Sequence, residues 1–420
     1  MRNKFFYLVF ILYSFSLIYS QPREIPFFTE SILVPVDSGV SISYCFRIPY
    51  SSLVFEKDYD NYYAEYQINI ELFDDDSVFV ARQIKHKKIH TKDFNESIDN
   101  KTFDQDVIYL FSAKKNFKMR AILTDVNSKR EYLLKAGELN QKVIAQNNFI
   151  RPLIINSKKI ICDGKVVFQL SNFNGFIPFN QETYSLLIPL KDTSISQINY
   201  VALNNRDTVM ISSTNAFVFS SLNLIECDNQ IILNNSNEKS IKCFIINDIS
   251  SKLFEGDVVF KINFNKDQKT TEDFIFKSLW INKPISLTDP EEAISYLKII
   301  EKEVVVKALL SNDEKDYFNA LNNYWAKYDP SPNTSYNELM AEFYLRVDYA
   351  NLNFRPISGK SGVNTDRGKV FVKFGQPAKI DRISNDDGYI IEKWYYEDPN
   401  NIFSFIDKTG TGDFQLLIEE

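Results

Sequence analysis

Four carboxylates in the C-terminal third, Asp329, Asp366, Glu392 and Asp407, have the clearest capacity for acid–base chemistry. Two of them converging would supply what a hydrolase needs: one carboxyl to protonate a leaving group and one carboxylate to activate water. The competing reading is structural. Asp329 precedes Pro330 as a turn former, and Asp366 with Arg367 forms an ion pair or a cap where a strand begins. Catalytic residues stay unknown at this level. His-dependent triads are excluded from this third, because the only two His, His86 and His90, lie far upstream. They have the i, i+4 spacing of a zinc helix, yet they sit in a Lys-rich segment that reads as strand running into loop. On a strand they would lie about 13 Å apart, too far to share a metal, so a solvated basic patch is expected. Asp74-Asp75-Asp76 lacks the spaced ligands and Gly of a calcium loop and reads as a turn. No metal site is expected and no cofactor is implied.

The other chemistry-bearing set is aromatic. Tyr324, Trp325, Trp394, Tyr395 and Tyr396 could line a binding groove. Packing competes: Trp325 shares a helical face with Phe318 and Leu321, and Trp394 alternates with Tyr395 across a strand.

Elements must hold these side chains, and composition limits which. The 420 residues are too many for one ordinary core. Aromatics at 15%, with 35 Phe and 23 Tyr, favour strands. A net charge of −7 gives no bulk attraction to nucleic acid or an anionic membrane. The acidity is concentrated late: residues 288–420 carry 15 Lys/Arg against 23 Asp/Glu, which supports a boundary near 285.

Residues 1–20 read as a signal peptide, with Arg2 and Lys4 before the apolar run Phe5–Ile18 and a small residue, Ser20, before Gln21. As helix the run would rise about 21 Å, short of a bilayer core. The mature chain is therefore expected to be extracytoplasmic, periplasmic or secreted to the cell surface, with no membrane span. Cys227 and Cys243 flank an Asn-rich turn region and could be bridged; the alternative is four Cys acting as small buried hydrophobes.

Residues 21–148 alternate apolar and polar residues in short runs such as Val40–Ile48 and Tyr63–Phe73, as an antiparallel β-sandwich does. Residues 149–285 repeat the style, as a second β-rich domain or as part of one larger β-domain. At 288 the period becomes helical: Asp289-Pro290 opens a first helix, Ser311-x-x-Glu314 a second and Ser335-x-x-Glu338 a third. Runs 369–374, 390–396, 401–407 and 414–418 then read as strands, making 286–420 an α+β domain. The chain is thus expected to be multidomain, with N-terminal β-sandwich modules and a C-terminal α+β domain.

This last part resembles a known family. Tyr324-Trp325, Asp329-Pro330-Ser331-Pro332 and Thr334 are similar to a W-x-x-R-D-P-T-P-x-T signature of the GWxTD-domain family of exported bacterial proteins. Gly362-Val363-Asn364-Thr365-Asp366-Arg367-Gly368 aligns with the motif that names the family, and Val370–Pro377, Glu392–Tyr396 and Phe403–Asp407 continue the likeness. Val363 replaces the family's Trp, and Tyr328 its Arg. The resemblance implies an address and an architecture; the family's activity is unassigned. The Gly375-x-Pro377, Trp394-x-Tyr396 and Asp407…Gly410 pattern also resembles small lipoproteins that assist outer-membrane assembly.

The resulting expectation is an exported, non-catalytic binding or envelope-assembly protein whose partner is another envelope or extracellular protein. The alternative is a carboxylate-dependent extracytoplasmic hydrolase. The candidate positions are the motif loop, Gly362, Thr365, Asp366, Arg367 and Gly368, as a structural or binding element, and Tyr324, Trp325, Trp394 and Tyr396 as binding aromatics.

Overall fold

The computed structural model describes residues 27–419 except 37, 114–115, 135–137, 141–149, 172–174, 191, 235–240, 264–270 and 399–400. The expected signal peptide lies outside the described residues.

Four antiparallel-rich sheets stack through the first two thirds. The first contains Phe28–Val36, Gly39–Pro49 and Phe103–Ser112. The second is centred on Asn61–Phe73, which pairs along its length with Phe79–Thr91 and with Asn116–Asp125. Strict alternation builds the core between them. Ala64, Tyr66, Ile68, Ile70 and Leu72 point inward against Ile42, Tyr44, Phe46 and Ile48.

The first sheet is buried on its other face as well. Phe28, Ile32, Cys45 and Val107 pack on Leu153, Ile155, Leu187, Leu233 and Cys243 of a seven-stranded third sheet. Ile154, Leu186, Ile188 and Phe244 leave that third sheet on the opposite side and meet Ala202, Val258, Phe260 and Phe276 of a fourth. This explains why Tyr184–Leu190 is buried at every position and apolar except for Ser185: both its faces are covered. One core therefore runs across the point where the sequence divides the two β regions. Asn229 adds to it, accepting from Gln105 N and donating to Phe103 O.

Three expectations are corrected here. The bridge joins Cys227 to Cys162, not to Cys243. Strand Ile241–Ile246 lies between Phe217–Ser220 and Tyr184–Leu190, so Cys243 sits away from Cys227, inside the core with Cys45. Cys162 and Cys227 are three strands apart in sheet order, which in a flat sheet would separate them by roughly 14 Å. Their Cα atoms are 6.4 Å apart because the sheet curls around Val167 and Ile232. The second correction concerns the Lys-rich segment. It continues as strand Phe79–Thr91, and Lys85 and Lys87 are paired with the buried Asp106 and Asp104 at 2.6 and 2.9 Å. His86 and His90 remain on that strand, and Asp74 does form a turn, accepting from Asp76 N and Val78 N.

The third correction lies in the C-terminal part. Beyond α1 (Phe94–Ser97) in the β-rich part, the described α-helices are α2 (Pro290–Tyr296), α3 (Glu303–Leu309), α4 (Tyr317–Trp325), α5 (Glu338–Asn353) and α6 (Asp366–Phe374). They precede a four-stranded antiparallel sheet, Lys379–Ser384, Ile390–Tyr395, Ile402–Asp407 and Gln415–Glu419, in sequential order. Helix α6 replaces the strand expected over 369–374. Its buried positions, Arg367, Gly368, Val370, Phe371 and Val372, follow a helical face against α5 rather than alternation. Asp289 caps α2 as expected, whereas Asn337, not Ser335, caps α5 by accepting from Met340 N.

Candidate functional site

The motif 362–368 begins as a 3-10 turn, Gly362–Asn364, lying on α5. Asn351 of α5 holds it, its Oδ1 accepting from Ser361 Oγ at 2.5 Å and Val363 N at 3.1 Å. Thr365 then caps α6: its hydroxyl donates to Gly362 O and accepts from Gly368 N at 3.0 Å. Both glycines are required by close approach. A Cβ on Gly362 would stand 2.0 Å from Ala350 O, and one on Gly368 2.0 Å from Gly362 O. The smaller Val363 occupies the position of the family's Trp and is wholly buried.

From the start of α6, Arg367 reaches under the sheet. Its Nη1 donates to Glu392 Oε2 and its Nη2 to Gly412 O, each at 3.1 Å, with the guanidinium 4.0 Å from the Phe414 ring centre. Burial lowers the guanidinium pKa, opposed by Glu392. Glu392 is itself saturated. Trp394 Nε1 donates to its Oε1 at 2.7 Å, and Arg382 adds two contacts to Oε2. On the neighbouring strand, Asp407 accepts from Thr409 N and from Gly412 N. Burial pushes the Asp407 carboxyl up, but these N–H donors and the Thr409 hydroxyl bring it below the usual carboxylate range. Asp366 lies outside, accepting from Leu416 N at 3.1 Å and from Lys369.

This arrangement holds charge rather than moving protons. Glu392 has both oxygens occupied by donors, and the N–H groups on Asp407 favour its carboxylate over the proton-bearing form that general acid catalysis needs. Asp329 does not join them. It accepts from Ser331 N in a turn at a different place, beside α4.

Residues 262–416 match the family model of the GWxTD domain. The C-terminal part of the chain carries a GWxTD domain. No curated protein matches the chain. The match begins inside the fourth sheet, upstream of the helices, so the final strand Thr271–Leu279 and the linker after it belong to the matched stretch.

The other GWxTD signature, 324–334, lies on a groove of about 800 Å³ where the helices meet the fourth sheet. Buried Leu287, Leu321 and Trp325 line it at depth, and the half-exposed Phe254 and Phe318 stand at its rim. Asn337 secures one wall, joining the end of α4 to the start of α5 through Trp325 O and Met340 N. The opposite wall is the 251–255 turn, pinned by Asn205, which donates to Glu255 O and accepts from Asp257 N. Trp280 packs against Phe179 and Tyr336, with ring centres 5.7 and 5.2 Å away, so both halves meet at this linker.

Of the candidate aromatics, Trp394 and Tyr324 are core side chains, and Tyr396 is half-buried with its hydroxyl on Gly375 O. Trp325 is buried too, yet one side contributes to the groove. Asn319, Asn322 and Asn323 also line it and were missed. Their i, i+3, i+4 spacing on one helix was the available signal.

Proposed function

We propose that this is an exported bacterial envelope protein that binds a ligand or partner non-catalytically, with the groove between the fourth sheet and the GWxTD helices as its binding site. The observation that carries this reading is the contrast within the domain. The carboxylates Asp366, Glu392 and Asp407 are engaged in structural hydrogen bonds, while the Trp325–Thr334 signature borders an open cavity. Export is supported by the N-terminal apolar run and by the Cys162–Cys227 bridge, since disulfides persist in oxidising compartments. No described helix is long and apolar enough to cross a membrane.

The test is retention of the purified chain on bacterial envelope fragments. The double variant Phe254→Ala/Phe318→Ala should lose retention while melting with the parent. Retention equal to the parent's would remove the groove from the function. Hydrolysis of an envelope component that Glu392→Gln abolishes without a change in melting would establish the hydrolase instead.

A further inference from the structure

The chemistry of the groove lining points to a ligand class. Asn319, Asn322, Asn323 and Asn333 line it, Asn322 half-buried and the other three exposed, and their side-chain amides make no hydrogen bond to any described residue. On α4, Asn322 and Asn323 follow Asn319 by three and four residues, which puts each about 5–6 Å from it between Cβ atoms. Each amide carries donors and an acceptor together, which suits groups that are themselves donor and acceptor. The hydroxyls of Ser251, Thr334 and Ser335 donate to Asp248 O, Ser331 O and Ser251 O, and so offer the groove acceptor lone pairs. Fixed charge is balanced: Lys252 and Lys283 against Glu255 and Asp329, with Lys283 already bonded to Glu255 at 2.8 Å. Among the described lining residues there is no Arg, so an anionic ligand such as a phosphate would meet the single point charge of Lys252 and no bidentate fork. A lipid chain would meet amides along its length and leave them unpaired. The rim supplies apolar rings, Phe254 at 57% and Phe318 at 49% exposure.

Free amides without net charge, next to exposed aromatic rings, match one chemistry closely. A neutral sugar presents hydroxyls around its edge and a C–H face above and below the ring. We propose that this groove binds a neutral oligosaccharide, with Asn319, Asn322 and Asn323 pairing hydroxyls and Phe254 and Phe318 receiving the ring faces. The volume of about 800 Å³ has room for several sugar units. This inference rests on the groove being the binding site.

The experiment is calorimetric titration of the full mature chain with neutral tetrasaccharides of glucose, mannose, galactose and N-acetylglucosamine. An uncharged Ser/Asn/Gly decapeptide and a sulfated tetrasaccharide serve as comparators. Saturable binding of at least one neutral tetrasaccharide is expected, weakened tenfold or more by Asn322→Ala/Asn323→Ala and by Phe318→Ala, with melting unchanged. Binding unaffected by those substitutions would overturn the assignment. So would tighter binding of the decapeptide or the sulfated sugar, or no binding of any neutral sugar. If envelope retention still depends on Phe254 and Phe318 in that case, the groove stands as a binding site and only the sugar class falls.

Discussion

The two GWxTD signatures occupy one domain and have opposite fates. The naming motif, 362–368, is turned inward: Gly362, Val363, Thr365, Arg367 and Gly368 are buried, and Arg367 ties helix α6 to the sheet through Glu392. The 324–334 signature is turned outward at its end, where Asp329, Pro332 and Thr334 border the groove. Arg367 in the first marks a joint between layers, with Glu392 as its partner. The turn-forming residues in the second mark a wall. A motif rich in polar residues is therefore no guide to a site until the partners of those residues are known.

Substitutions at the joint and at the groove should separate sharply. The largest effect is expected at Glu392→Gln, which leaves the Arg367 guanidinium buried without its counter-ion; a loss of about 3–5 kcal/mol in denaturant unfolding is the outcome. A loss below ~1 kcal/mol would mean that the joint is not where stability resides. Gly368→Ala should follow at about 3 kcal/mol, because the added methyl meets Gly362 O and cannot be accommodated by a side-chain shift. Melting within a degree of the parent would refute the close approach.

Asp407 gives the joint an acid limb. Its folded pKa lies below the unfolded value of about 3.9, so its contribution is complete above that pH and is lost as pH falls through the folded value. The difference in melting temperature between the parent and Asp407→Asn should stay level from pH 7 to about 4.5 and shrink below about 4. A gap that persists to pH 2 would contradict the assignment. Asp366→Ala should cost only about 1 kcal/mol, since Asp366 accepts one backbone N–H at a partly exposed place and Thr365 provides the cap. Smallest of all, Asn322→Ala/Asn323→Ala should change stability by no more than about 0.5 kcal/mol. A larger destabilisation would show that these amides support the wall instead of facing a ligand.

The fold was legible where one local signal sufficed. Tyr63–Phe73 alternates, and its even positions from Ala64 to Leu72 are the ones in the core. Asp289-Pro290 begins a helix because the Asp carboxylate satisfies the Glu291 and Glu292 N–H groups whatever lies around it. Lys369–Phe374 misled, since its Val and Phe content suits a strand. The Thr365 cap and the surface of α5 decided for helix. The candidate site was half legible: Trp325 and Asp329 were singled out, but Phe254, Trp280 and Lys283 come from other parts of the chain, and no periodicity links them to α4.

By itself, the sequence determined the alternation that makes the strands, the change of period near 288, the first helix cap and the resemblance of the C-terminal part. Each of these depends on residues within one or two turns or strand lengths of one another. The tertiary structure alone decided that Cys162 pairs with Cys227, that Arg367 meets Glu392, and that Asn319–Asn323 face the 251–255 turn across a groove. Those outcomes depend on which sheet curls and which layers meet. They are settled by burying apolar faces between segments far apart in the chain, a long-range condition that local spacing does not encode.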